Sequence, residues 1–169
     1  MISRKRFLIF WIGGLLAFAV AIWLHLPLTI DAVPDGITAH QSSGTAERVD
    51  EVQAAWSKAG VYRDALTAML SDLGFIAIYT LGSLLGGFYF LRVGTGKMRV
   101  LGAILVFAAL VFGGADFTET ALQLQQLTAG QGDNAKAALA AAMYWPKAFG
   151  FIACFVLPII GLVMERRAA

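Results

Sequence analysis

One cysteine, two histidines and a charged fraction of 14% are the scarcities that bound this chain of 169 residues. Cys154 stands alone inside an apolar segment. It excludes an intrachain disulfide, a Cys-x-x-Cys redox pair and a thiolate zinc site, and reads as a small buried hydrophobe. His25 ends an apolar run and His40 lies in a polar stretch, so the chain lacks the facing histidine pair that would hold a haem between membrane helices. No Glu-x-x-His pair or His-Glu-x-x-His run occurs, and with them go the signatures of di-iron bundles and helical zinc sites. The formal net charge is only +2, and the basic residues form short clusters instead of a stripe, which argues against nucleic acid as a partner. What is abundant is apolar. At 59% hydrophobic the chain is too apolar for a soluble domain of its size and too short for two, so it is read as one integral membrane domain, 1–169.

The pattern along the chain gives an all-α, four-helix transmembrane bundle. A basic flank, Arg4-Lys5-Arg6, precedes the first apolar run over about 7–26, long enough for a retained span. The long connection that follows opens with Pro27, Pro34 and Gly36 and continues through a polar turn-rich stretch, His40 to Gly44. Helical spacing returns over about 45–59, where Val49, Val52, Trp56 and Ala59 share a face opposite Glu47, Arg48, Asp50, Glu51 and Lys58. That is an amphipathic helix with Thr45 as its N-cap, packed on the bundle or lying in the headgroup layer with Trp56 as anchor. The second span covers about 66–91 and carries Gly82-x-x-x-Gly86, a spacing that permits close helix approach within the bundle. A short basic turn makes the second and third spans antiparallel neighbours, and the third runs over about 98–127, projecting past the hydrocarbon. The fourth, about 144–164, starts at Tyr144-Trp145-Pro146-Lys147 and contains Pro158, which deprives the carbonyl of Cys154 of its helical donor. Arg4 to Arg6, Arg92, Lys97, Arg99, Arg166 and Arg167 fall on one side, so the positive-inside rule puts both termini in the cytoplasm and the amphipathic helix in the first outer loop.

Helical rise turns this topology into depth. Arg6 to His25, Asp72 to Arg92, Arg99 to Asp116 and Lys147 to Arg166 are separations of 17 to 20 residues, roughly 26 to 30 Å at about 1.5 Å per residue. His25, Asp72, Asp116, Glu119 and Lys147 therefore share one level at the outer edge of the hydrocarbon, contributed by four spans, with Tyr79 one to two turns deeper. In the plainest reading the acids reach water, cap helices or pair with Lys147 and Arg63 as a structural ion-pair layer. In sharper readings they converge on a cavity opening outwards and roofed by the loop helix. There they could move protons on a lipid-like substrate with His25 as a second acid or base. Alternatively, His25, Asp72, Asp116 and Glu119 could hold a divalent metal. The Phe-rich faces, Phe88 with Phe90 and Phe149 with Phe151 and Phe155, read as packing or lipid-facing surfaces.

At Asp116-Phe117-Thr118-Glu119-Thr120 the chain resembles a loose group of largely uncharacterised small bacterial four-span membrane proteins whose third span carries an Asp-x-x-Glu-Asn pattern near its outer end. Thr120 stands where that pattern has asparagine. The resemblance implies the four-span architecture, a bacterial inner-membrane location and a shared polar layer, with no activity to transfer. A distant likeness to the four-span sterol-isomerase-type fold rests on architecture alone. The expectation is a non-enzymatic inner-membrane protein, an accessory subunit or lipid- and partner-binding module. Its partners would be membrane lipids or a larger membrane-protein complex, with a bound lipid in place of a cofactor. The alternative is a membrane enzyme of isomerase or hydrolase type using the carboxylates.

Overall fold

In a computed structural model that describes residues 3–168, the chain is helical almost throughout, and no strand occurs among the described residues. The helices are α1 (Arg4–His25), α2 (Ile37–Gln41), α3 (Ala46–Lys58), α4 (Tyr62–Val93), α5 (Gly96–Ala129), α6 (Asn134–Ala142) and α7 (Tyr144–Ala168). Four of them, α1, α4, α5 and α7, belong to segments long and apolar enough to cross a membrane. The polar residues at their starts do local work: Ser3 Oγ accepts from the Arg6 N–H, Thr45 Oγ1 from the Arg48 N–H and Asp133 Oδ1 from the Lys136 N–H, capping α1, α3 and α6. Gly130, at φ 64°, takes the left-handed turn that ends α5.

The long helices pack in the order α1, α4, α5, α7, and α7 returns to α1 mainly through side chains. Glycine sets the closest crossing. A Cβ on Gly82 would lie 2.5 Å from the Trp11 nitrogen, and one on Gly14 would lie 2.6 Å from the Tyr79 Cα, so α1 and α4 meet backbone to backbone. Gly86 adds room for the Phe7 ring on the same face. Both glycines of the Gly82-x-x-x-Gly86 pattern are thus used within the bundle. Across the α1–α7 seam, the Trp11 indole N–H donates to the carbonyl of Cys154 at 2.9 Å. This is the carbonyl that Pro158 leaves without its helical partner, and a neighbouring helix satisfies it.

Two apolar cores stack along the axis. One, inside the bundle, is built on Phe7, Trp11, Phe75, Tyr79, Phe90, Leu105, Phe112 and Cys154. The other gathers Leu28, Val33, Ile37, Val52, Trp56, Met69 and Leu127 under a cap made of α2, α3 and the chain between α1 and α2. α4 and α5, at 32 and 34 residues, run to about 48 and 51 Å and so serve both cores. α6 completes the cap by docking to α3: the Ala46 N–H donates to Asn134 Oδ1 at 2.8 Å and the Gly132 N–H to Asp50 Oδ1 at 2.5 Å.

Two sequence expectations change here, and a third is resolved residue by residue. Trp56 is no membrane anchor; it is fully buried, stacked on His40, and donates its indole N–H to the Leu28 carbonyl at 3.0 Å. The stretches read as unbroken connection contain α2 and α6. Of the Phe-rich faces, Phe90 is fully buried in the bundle core, whereas Phe88, Phe149 and Phe155 face outward.

Candidate functional site

Between the two cores the inward faces turn polar. On α4, Asp72 falls between Met69, which belongs to the cap core, and Phe75, which belongs to the bundle core. On α5, Asp116, Glu119, Thr120, Gln123 and Gln126 are all buried between Phe112 and Leu127. Helical geometry does the gathering: positions 112, 116, 119 and 123 lie on one face of α5, as 72, 75, 76 and 79 do on α4.

The layer resolves into two polar groups. His25 Nε2 lies 3.1 Å from Asp72 Oδ2, joining the end of α1 to α4. Lys147, in the first turn of α7, reaches Glu119 Oε1 at 2.5 Å and Asp116 Oδ1 at 3.7 Å, so one ammonium serves two carboxylates of α5. Glu119 is fully buried, and its Oε1 also accepts from Gln123 Nε2 at 3.3 Å. Its Oε2 has no donor among the described residues. A carboxylate removed from water to that degree costs several kcal/mol unless a cation stays beside it, and Lys147 supplies that cation.

The two groups face a common space. A cavity of about 290 Å³ is lined by Phe18, Ala21, Ile22 and His25 of α1, Asp72 and Phe75 of α4, Phe112 and Asp116 of α5, and Lys147, Ala148 and Phe151 of α7. It lies at the small end of ligand sites, which hold roughly 300 to 1,000 Å³. Ile37, Thr38 and Gln41 complete the lining. The roof is therefore α2, and the amphipathic helix α3 sits behind it, a correction to the expected arrangement. A five-residue helix supplies the roof because its apolar side, Ile37 and Ala39, is held in the cap core.

Of the six residues singled out in the sequence, His25, Asp72, Asp116 and Lys147 line the cavity, and Glu119 supports it from behind through Lys147. Tyr79 does not join them. Its ring packs against Phe75, Phe112 and Phe151, three of the rings that line the cavity, and its hydroxyl has no partner there. Arg63 is exposed on the cap side of α4 and takes no part in these ion pairs. His25, Asp72, Asp116 and Glu119 do not form a ligand cage either: among the described residues no group of three or more His, Cys, Asp or Glu is placed to hold a metal ion. Sequence reasoning missed the roof residues Thr38 and Gln41, and it left Gln126 unused. The Gln126 side chain accepts from the Asp133 N–H at 3.0 Å and so ties the end of α5 to the start of α6. Its position seven residues after Glu119 is the signal that could have found it.

Chemically, the arrangement offers an imidazole oriented by a carboxylate, a carboxylate loosely held by a shared ammonium, and a wall of four phenyl rings. No protein-family model, curated protein or solved structure matches the chain.

Proposed function

We propose that the protein is a non-enzymatic, multi-pass membrane protein that binds a lipid-like amphiphile in the cavity between α1, α4, α5 and α7. The observation that carries this reading is the division of the cavity wall. His25, Asp72, Asp116 and Lys147 form one part, and Phe18, Phe75, Phe112 and Phe151 form the other. An amphiphile has the same division, a polar end that needs partners and an apolar end that needs none. Ile22 lines the cavity while remaining 47% exposed, so the site reaches the outer surface of the bundle beside α1, where an acyl chain could continue into the bilayer.

The positive-inside rule supports a bacterial inner-membrane orientation with Arg4 to Arg6, the α4–α5 turn and Arg166 on the cytoplasmic side and the cap outside. In that setting the cavity lies at the outer edge of the hydrocarbon, the depth of lipid headgroups. The resemblance at Asp116 to Thr120 agrees with such a protein, and a larger membrane complex remains a fitting partner for its exposed apolar faces.

Filling the cavity tests the reading. Ala148 lines it, and Ala148→Phe would occupy the space while leaving every residue of the two polar groups in the sequence. The purified wild-type protein should carry a lipid-like molecule through delipidation, and the variant should lose it while keeping its helical content and melting temperature. Equal occupancy in both proteins, or none in the wild type, would sink the proposal.

One observation favours a second reading. His25 faces the cavity with its Nε2 held 3.1 Å from a carboxylate, the arrangement of an oriented general base. A membrane enzyme of isomerase or hydrolase type would use it to move a proton on the bound amphiphile. Turnover of the co-purified molecule, abolished by His25→Gln while binding persists, would put this reading first.

A further inference from the structure

We propose that the amphiphile bound here carries an organic ammonium, primary or methylated, on its apolar chain, and that Asp72 and Asp116 receive the cation. This rests on the reading of the cavity as an amphiphile site and names the head that the site selects.

Charge bookkeeping is the first argument. The layer holds three carboxylates, Asp72, Asp116 and Glu119, against one lysine and one histidine. Lys147 is already shared, closely with Glu119 at 2.5 Å and loosely with Asp116 at 3.7 Å. The partner of Asp72 is an imidazole, which can donate an N–H without carrying a charge. With the three acids ionised, Lys147 and even a protonated His25 together fall one positive charge short of them. A phosphate or carboxylate head would enter a wall with surplus negative charge and find its only lysine doubly engaged. A hydroxyl head would relieve nothing. An ammonium offsets the surplus, and in a space walled by protein that attraction is screened far less than in water.

Aromatic rings are the second argument, and they are independent of the first. Phe18, Phe75, Phe112 and Phe151 line the same cavity, and phenyl faces carry the negative side of the ring quadrupole. A cation over such faces is attracted, most strongly where water is excluded, and aromatic walls are a recurring recognition mode for methylated ammonium. An anion gains nothing from these faces. The polar and apolar parts of the wall therefore favour the same sign of ligand charge. The chain is placed by Ile22, the exposed lining residue of α1, where the cavity meets the surface of the bundle.

The full chain in maltoside micelles, titrated with four probes sharing one alkyl tail, tests the head group. The probes are dodecylammonium, dodecyltrimethylammonium, dodecanol and dodecyl phosphate, read by native mass spectrometry for stoichiometry and by the shift in melting temperature. At least one ammonium probe should bind one to one, ten-fold or more tighter than dodecanol. Asp72→Asn and Asp116→Asn should each erase most of that margin. Equal binding of dodecanol and the ammonium probes would overturn the ammonium assignment and leave the amphiphile site standing, as would tightest binding by dodecyl phosphate. No stoichiometric binding by any probe, together with no retained lipid, would overturn both. If a variant fails to fold, the ranking of the four probes on the wild-type protein still decides. A final arm separates sources. Preferential retention of phosphatidylethanolamine over phosphatidylglycerol after delipidation supports an aminolipid, and ammonium-probe binding without that retention supports a soluble amphiphilic amine.

Discussion

Each end of the bundle holds carboxylates, and the two ends handle them differently. At the end that carries the α4–α5 turn, Glu165 of α7 accepts from the Tyr89 hydroxyl and pairs with Arg4 Nε at 3.3 Å. The Arg4 side chain there is 51% exposed, so a long, flexible cation finds the acid from water and little else need be arranged. At the cap end, Glu119 has no exposure and its cation, again from another helix, is a Lys147 side chain itself only 15% exposed. A buried acid demands that α5 and α7 be fixed relative to one another, and α2 is then laid over the result. The same chemistry is a surface detail at one end and a constraint on the whole architecture at the other. A layer serving stability alone would cost less if apolar, which agrees with the binding site proposed for the cap end.

The largest break in this comparison should come from Lys147→Met. It leaves Asp116 and Glu119 without their cation, and loss of one partner of a buried pair costs about 3 to 5 kcal/mol. Unfolding in mixed micelles, followed by circular dichroism, should show that loss. Adding Asp116→Asn and Glu119→Gln to the variant should recover most of it, and absence of recovery would mean that the lysine acts through packing instead of charge.

Next in size is an effect of acid on the cap. His40 is buried beside Gln53, whose Nε2 lies 3.2 Å from His40 Nε2, and burial lowers its pKa from 6.5 to about 4. A chain with the cap undocked takes up the proton near pH 6.5, and the folded chain does so only near pH 4. The stability owed to neutral His40 is thus fully present above about pH 6.5 and lost as the pH falls towards 4. By pH 4.5 the loss should reach about 2 to 3 kcal/mol, visible as faster hydrogen exchange in α2 and α3. Exchange in the bundle core should change less, and His40→Leu should flatten the pH dependence. Exchange that rises equally in α5 around Leu105 would place the acid-sensitive group elsewhere.

The seam between α1 and α7 tests whether the middle of the bundle behaves like either end. Trp11→Phe removes the donor that meets the Cys154 carbonyl, and a buried unpaired carbonyl costs about 1 to 3 kcal/mol. Pro158→Ala restores the helical donor, so the double variant should be more stable than Trp11→Phe alone. If it is not, the indole contributes by filling space and the hydrogen bond is incidental.

These contrasts also explain what could be read in the sequence. The level shared by His25, Asp72, Asp116, Glu119 and Lys147 was legible because helical rise is rigid, and each residue could be counted from a basic flank. The need of Cys154 for a new partner was legible from Pro158, although nothing local identified Trp11, 143 residues away. α2 was hidden because five residues are too few to show periodicity, and tertiary contacts of Ile37 and Ala39 hold it. α6 was missed for another reason. Asn134 to Ala142 is rich in alanine, with Asp133 as cap, so a helical signal exists, but nine residues between a glycine-bearing turn and the aromatic start of α7 read as connection. Trp56 shows a third limit: amphipathic spacing says that a face is buried, and leaves open whether lipid or protein buries it. Tyr79 shares a face of α4 with Asp72 but lies one to two turns deeper, and a shared face says nothing about the three phenyl rings packed on it.

The smallest expected effect is the one on which the comparison depends most. Arg4→Met breaks the ion pair with Glu165, yet the arginine side chain is half open to water and the Tyr89 hydroxyl stays in place. Exposed pairs of this kind contribute about 0 to 1 kcal/mol, so the melting temperature should barely move, and what little moves should vanish as salt is raised. Lys147→Met, with both partners buried, should keep most of its effect at high salt. Similar losses from the two variants, with similar salt dependence, would show that the cap-end layer is as open to water as the other end. The cavity would then be a water-filled vestibule, screening would erase its preference for a cation, and the assignment of an ammonium ligand would lose its electrostatic footing.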